Sequence, residues 1–318
     1  MVSPLSFFEN LLAKGLAGGT PLLMATTGEL FAERSGVLNL GVEGMMLLGA
    51  SVGYYTAVQT GSLALGILAA MAAAAALATL HAAVTVSLAG DQVVSGLGLG
   101  FFGSGLASVL GAEMVQVRNA PRMPALDLPS LADLPVVGPA LLQQNLVVYL
   151  GMALIPLAWF YLYRTRWGLT LRAAGETPTA VDAQGISVGR IRYAHVAAGG
   201  ALAGLAGASL SLAITPGWVD GMTSGQGWIA VGLVIFAGWD PVRAAAGSYL
   251  FGAIRQLPLD LQGVQSLPLF RNPNLGYFLD MLPYLFTIGV LVLASRGKLR
   301  QKAPAALALP FVRGERGK

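Results

Sequence analysis

Apolar tracts of about 20 residues, separated by short glycine-, proline- or charge-rich breaks, recur along the whole chain. That is the length a helix rising about 1.5 Å per residue needs to cross about 30 Å of hydrocarbon. A bilayer offers the backbone no water, so only helices and closed barrels satisfy every N–H and C=O within it. The alternating strand-length segments of a barrel wall are missing from the sequence. The expected fold is therefore all-α, a polytopic transmembrane helical bundle formed by residues 1–318 as a single domain. Composition agrees, with 55% hydrophobic and 11% charged residues where an ordinary soluble domain carries about 25% charge.

Hydrophobic runs place about nine crossings, near residues 12–31, 38–58, 62–88, 92–111, 145–163, 193–214, 226–240, 243–258 and 281–295. A hydrophilic island at 164–192 holds Arg164, Arg166, Arg172, Arg190 and Arg192 against Glu176 and Asp182. The positive-inside rule assigns that island to the cytoplasm. Counting from it puts the Trp239–Arg243 turn and the basic tail 296–318, with the C-terminus, on the same side, and the proline-rich loop 113–143 outside. Parity then places the N-terminus outside, and an odd count leaves no room for two equal inverted halves. MVSPLSFFEN lacks a basic n-region, so no cleavable signal peptide is expected. The net charge of +4 collects in the island and in Arg296, Lys298, Arg300 and Lys302, which fits topology and membrane-lipid contact rather than nucleic acid.

Several chemistries are excluded. There is no cysteine, hence no disulfide or thiolate. His81 and His195 lie on different tracts without acidic neighbours, so no metal site is expected. H-E-x-x-H and G-x-S-x-G are absent, so no catalytic residue is assigned and the chain is not read as an enzyme. Gly98-Leu-Gly100-Phe-Phe-Gly103 matches the dinucleotide fingerprint but sits inside an apolar tract with no preceding βα unit. No phosphate-binding loop occurs, so no cofactor, ATP included, is expected on this chain itself. Gly49-x-x-x-Gly53, Gly96-x-x-x-Gly100 and Gly200-x-x-x-Gly204 have the spacing that lets helix backbones approach closely. Trp218 and Trp228 outside, with Trp167 and Trp239 inside, read as an interfacial aromatic belt.

Within the island, Thr177-Pro178 reads as an N-cap followed by proline at the first helical position, and Gly185 as the residue just past the end. The expectation is a helix of about 178–184, roughly 10 Å long, with Glu176 near its positive end and Ala180, Val181 and Ala183 exposed. Gly175 precedes it. Small exposed side chains suit a knob for a partner's groove, and they suit equally a surface turn with no partner. Asn39 and Glu43, four apart among Gly36, Gly41 and Gly44, form a candidate pathway face. A structural Glu43, bonded to backbone or to Arg34, is the alternative. Gln92 and Ser95 also enter the candidate pathway, or bond only between helices. Glu29 and Glu33 beside Arg34 read as a local ion cluster.

The stretch GLTLRAAGETPTAVDAQGISVGRIRYAHVAAGGALAGLAGASLSL resembles the cytoplasmic loop and following helix of bacterial ABC importer permeases of the ribose and branched-chain amino acid class, closest to the nucleoside-type subfamily. PLLMATTGELFAERSGVLNLGVEGMMLLGA at 21–50 and GQGWIAVGLVIFAGWDP at 225–241 extend the match in the family's order. Two departures stand out: Asp91-Gln92-Val93 replaces the family's Asn-Gln-Val, and Gly100 stands where a further Asn is common. Relative to ribose-type permeases the chain also lacks one N-terminal crossing. The resemblance implies a type II importer-like permease in the bacterial plasma membrane, without its own ATPase site. It further implies a second permease subunit, paired as a heterodimer rather than a homodimer, cytoplasmic ATPase subunits coupled through 164–192, and an external substrate-binding lipoprotein. Nucleosides are the implied substrate, with simple sugars or branched-chain amino acids as alternatives. An ion-coupled secondary transporter is the alternative of another class.

Overall fold

The computed structural model describes residues 4–114, 117, 121–126, 138–262 and 303–313, with positions 278, 281, 282, 285, 288, 289 and 292. Residues 127–137 of the expected external loop, much of the expected crossing at 281–295, and residues 296–302 and 314–318 of the tail lie outside the described residues. The described residues form α1 (Pro4–Arg34), α2 (Val42–Thr60), α3 (Leu63–Ala82), α4 (Gln92–Gly111), α5 (Leu146–Arg164), α6 (Arg166–Glu176), α7 (Pro178–Ala183), α8 (Val188–Ser209), α9 (Gln226–Ala237) and α10 (Pro241–Gln262). A π turn extends α3 through Ser87 and another extends α8 through Ile214. Four helical stretches, Leu63–Ser87, Gln92–Met114, Leu146–Arg164 and Val188–Ile214, are long and apolar enough to cross a membrane.

Helix starts follow from local chemistry. Ser62, Asp91, Asn145, Thr165 and Ser187 each occupy an N-cap and accept the N–H of the residue three further on. Each bond removes one of the orphan donors that a helix start exposes, worth about 1 kcal/mol apiece. Helix α2 ends at Gly61, whose φ of 69° lets its N–H turn back to the Ala57 carbonyl.

Close backbone approach between helices holds the bundle. Gly49 on α2 abuts Gly204 on α8, Gly44 on α2 abuts Gly100 on α4, and Gly28 on α1 abuts Gly199 on α8. The three G-x-x-x-G pairs all lie in such contacts: Gly96 faces Leu40, Gly200 faces Ala74 and Ala78, and Gly53 faces Ala70 and Ala208. Among the four membrane-length stretches the one containing α8 is the most enclosed, with 61% of its apolar window buried against 22% for the stretch containing α4, so α4 keeps most of its surface for lipid or a second chain.

Two expected crossings take a different form. The tract 38–58 opens with non-helical residues, and helix begins only at Val42. The tract 226–240 yields a 12-residue helix, α9, about 18 Å long and too short to span hydrocarbon alone. Its apolar run is genuine, but Gly225 (φ 80°) and Gly238 (φ 60°) break the backbone at both ends.

The glycine contacts make a sharp prediction. A Cβ on Gly44 would strike the Gly100 backbone, whereas Gly98 has nothing within 4 Å of its Cβ position. Gly44→Val should destabilise by about 2–3 kcal/mol, lowering the melting temperature of the detergent-purified chain by about 5 °C, while Gly98→Val leaves it unchanged.

Candidate functional site

Residues 35–41 leave α1, turn, and climb back along it before α2 begins. Because Gly49 and Gly204 are level, Val42 starts about 15 Å along α8 from that helix's first residue. This puts irregular backbone deep in the bundle, where each unpaired N–H or C=O would cost several kcal/mol. Side chains from three helices supply the missing partners. Gln92 Oε1 on α4 accepts the Leu38 N–H at 2.7 Å. His81 Nε2 on α3 lies 3.0 Å from the Leu38 carbonyl. A carbonyl only accepts, so Nε2 carries the proton and Nδ1 accepts from the Ser95 hydroxyl at 3.0 Å. Glu29 Oε1 on α1 accepts the Asn39 N–H at 2.9 Å, and Asn39 Oδ1 accepts the Gly41 N–H at 2.9 Å in an Asx turn.

The next polar group along is Glu43. Its Oε1 accepts from the Thr223 hydroxyl at 2.6 Å and the Gly225 N–H at 2.8 Å, and its Oε2 accepts the Gly227 N–H at 2.6 Å. Gly225 is the N-cap of α9 and has no side chain to cap with, so Glu43 does that work from the opposite helix. Helices α2 and α9 therefore both start inside the bundle and meet at one carboxylate, and Gly227 packs directly on the Glu43 backbone.

The four candidate pathway residues are thus close in space but differently employed. Asn39 precedes the helix and does not share a helical face with Glu43. Gln92 grips Leu38 directly and Ser95 does so through His81. Of the four, Ser95 lines an open apolar cleft of about 380 Å³ with Leu80, Val84, Asp91, Val94, Gly98 and Leu99. Glu43 is bonded to backbone, not to Arg34, whose guanidinium instead donates to the Trp239 carbonyl at 3.1 and 2.9 Å. Of the expected ion cluster, Glu29 and Glu33 interact with each other, but Arg34 does not join them. Glu33 takes the Trp239 indole N–H at 2.6 Å, so one tryptophan occupies both neighbours. Trp239 and Trp218 are buried rather than interfacial, Trp218 against Gly111, while Trp167 and Trp228 are exposed.

The island folds into α6, α7 and the start of α8. Helix α7 covers Pro178–Ala183, close to the expected span. Thr177 holds the N-cap position and Pro178 the first turn, but the Thr177 hydroxyl caps nothing, because its backbone (φ −143°, ψ 74°) closes α6 instead by donating to Ala173. Gly185 (φ 76°) ends α7 in a Schellman motif, with Gly185 bonded to Asp182 and Ile186 to Val181. Ala180 and Ala183 are exposed as expected. Val181 is 5% exposed and packs with Leu171, Ala174, Val188 and Ile191, since a six-residue helix needs one apolar anchor to hold its orientation. Gly175 is buried against the Arg34 carbonyl, and Glu176 accepts the Ala305 N–H at 3.2 Å.

Residues 11–293 match the family described as branched-chain amino acid transport system / permease component. The chain belongs to this permease family. It is 42% identical to a putative glucose ABC transporter permease protein of Haloferax volcanii, over 97% of this chain and 99% of that one. It is 35% identical to the nucleoside ABC transporter permease protein of Lactococcus lactis subsp. cremoris, over 90% and 92% of the two chains. With the guanosine ABC transporter permease protein of Bacillus subtilis it shares 34% identity over 95% and 96%. No solved structure matches the chain significantly. The permease is a multi-pass membrane protein, a transport subunit of an ABC system, and its family implies association with ATPase and substrate-binding partners.

Thr223, Gly225, Gly227, His81 and Trp239 bond to the candidate residues or their neighbours, and composition and tract reading missed these roles. The signal was available only in part: two glycines flanking Gln226 mark an open helix start, but nothing local says that a carboxylate some 180 residues earlier closes it. The cap generates a prediction. Glu43→Gln keeps one carbonyl oxygen and turns an N–H toward the remaining donors, so the permease should lose about 2 kcal/mol and its uptake activity while still inserting. Thr223→Val removes a single donor and should cost about 1 kcal/mol. Thermal unfolding of both variants that superimposes on the parent chain would refute the capping role.

Proposed function

We propose that this permease supplies half of the translocation pathway of an ATP-driven importer for nucleosides. The reading is carried by one observation: an end-to-end match to ABC permeases in a chain that has no phosphate-binding loop of its own. ATP chemistry then belongs to partner subunits, and the transport chain must offer them a rigid handle. The Pro178–Ala183 helix suits that role. It is short, begins at Pro178, is closed at its C-terminal end by Gly185, is anchored by Val181, and presents Ala180 and Ala183 outward. The positive-inside rule supports a cytoplasmic position for it and for the tail. A second permease, of the same or a different sequence, completes the pathway, and an external binding protein delivers the solute.

The pathway reading rests on the paired helix starts. Broken helices whose N-termini meet inside a bundle are a recurring way to build a solute site in transporters. Asn39 and Glu43 stand at that meeting point, with Gln92 and Ser95 behind it. Nucleosides are favoured by the two relatives named for nucleoside and guanosine transport. A simple sugar is the second reading, favoured by the 42% identity to the permease named for glucose.

The test is uptake into vesicles holding the permease, its partner permease and the ATPase subunits, with the binding protein added. Guanosine uptake that requires ATP, ignores an imposed proton or sodium gradient and resists excess glucose is the expected result. Competition by glucose alone would move the substrate to sugars, and gradient-driven uptake without ATP would overturn the importer reading altogether.

The handle reading makes its own prediction. Ala180→Trp or Ala183→Trp should abolish the stimulation of ATP hydrolysis by loaded binding protein, because a bulky ring no longer fits a groove shaped for a methyl group. Stimulation equal to the parent complex in both variants would remove α7 from the coupling surface.

A further inference from the structure

The segment 303–313 lies across the island, and its contacts are specific. Ala306 N–H donates to the Gly175 carbonyl at 2.8 Å and Ala305 N–H to Glu176 at 3.2 Å. Pro304 and Ala306 are buried, seated on Gly175 and Gly36, two glycines whose missing side chains make the space. Gly36 has φ 94°, so the seat is also a backbone shape that glycine alone adopts readily. Beyond the seat, Leu307 and Phe311 pack on the cluster that holds Val181, and Arg313 Nε lies 3.3 Å from Asp182 on α7.

One side chain ties this segment to the deep loop. Arg192, 1% exposed near the start of α8, donates from Nε to the Ser35 carbonyl at 3.2 Å and from Nη1 to the Leu309 carbonyl at 3.1 Å. No salt bridge accompanies these bonds among the described residues. A buried guanidinium held by two carbonyls keeps its place only while both are present. The segment therefore touches α7 at one end, through Asp182, and the root of the 35–41 loop at the other, through Gly36 and Arg192.

We propose that residues 303–313 form a strap that carries displacement of α7 to the 35–41 loop, with Arg192 as its positioning residue. This rests on α7 being the ATPase-facing handle. Helix α7 reaches the bundle core through Val181 alone among its buried side chains, a contact able to hold the helix but aimed at α6 and α8 rather than at the loop. The strap supplies the second path. Movement of Asp182 shifts Arg313 and the Leu307–Phe311 turn, which shifts the Leu309 carbonyl and, through Arg192, the Ser35 carbonyl. From Ser35 the loop runs four residues to Asn39 and eight to Glu43, whose carboxylate fixes the start of α9.

The experiment uses the assembled importer in vesicles with a permease ending at Lys302, and full-length Arg192→Met and Arg192→Lys. Each is scored for ATPase co-purification, basal ATP hydrolysis and solute moved per ATP. The expected result is normal co-purification and basal hydrolysis with transport per ATP reduced about tenfold in all three, lysine included, because an ammonium on a shorter reach cannot hold both carbonyls. Transport per ATP at the parent level in the Arg192 variants overturns the strap as a transmission element. Loss of ATPase co-purification also overturns it, since the segment would then be docking surface. If the truncated chain fails to accumulate, the two full-length variants decide. Ala180→Trp run in parallel separates the readings: uncoupling there with intact strap variants sinks the strap alone, whereas parent behaviour in Ala180→Trp sinks the handle on which it depends.

Discussion

An unpaired backbone group inside the bundle is the cost that organises this molecule. Residues 35–41 are non-helical at a depth where water cannot serve them, so their N–H and C=O groups must be met by side chains. Gln92, His81 and Glu29 meet them from three different helices. The consequence is geometric. Helix α1 is tied to α3 and α4 through the loop, while α3 and α4 also bond directly through His81 and Ser95, and α2 begins where the loop delivers it. Replace any of the three partners with an alkyl chain and a buried donor or acceptor is orphaned, which costs about 1–3 kcal/mol and loosens the start of α2.

The same logic explains why glycine replaces large apolar side chains at the contacts. Lipid is as apolar as leucine, so helix association here draws on dispersion between backbones that approach closely. Gly28 with Gly199, Gly44 with Gly100 and Gly49 with Gly204 put α8 and α2 at the centre of that packing. Close approach also aligns the starts of α2 and α9 well enough for one carboxylate to reach Thr223, Gly225 and Gly227 together.

Much of the fold was legible from hydrophobic period and punctuation. Tract boundaries at α4 and α5 fall within a residue of the helices found, because Asp91 and Asn145 are side-chain caps that also interrupt the apolar run. Helix α7 was legible for a similar reason: proline at its first turn and glycine past its end are local chemistry. What failed was everything decided by distant partners. Thr177 looked like a capping hydroxyl, yet its backbone serves the end of α6. Val181 looked exposed because periodicity is unreadable in six residues. Hydropathy alone could not distinguish α9 from a full crossing, since the apolar run of this 12-residue helix continues smoothly into Gly238 and Trp239. Glu29, Glu33 and Arg34 looked like one cluster by spacing, but Arg34 turns to the Trp239 carbonyl, while Glu29 and Glu33 interact with each other and bond Asn39 and Trp239.

The commitment of Glu43 bears on what kind of solute such a site suits. A carboxylate that accepts three hydrogen bonds from the start of α9 has its charge balanced by that helix's positive end. It presents little free negative potential, and no cationic side chain bonds it among the described residues. Beside it stand the Asn39 amide and the Thr223 hydroxyl, groups that in the proposed pathway would recognise neutral polar solutes by hydrogen bonding. That places nucleosides and simple sugars on equal electrostatic footing. In the proposed two-permease pathway the choice between them falls to shape and to hydrogen-bond pattern, since each chain would specify only half of such a site.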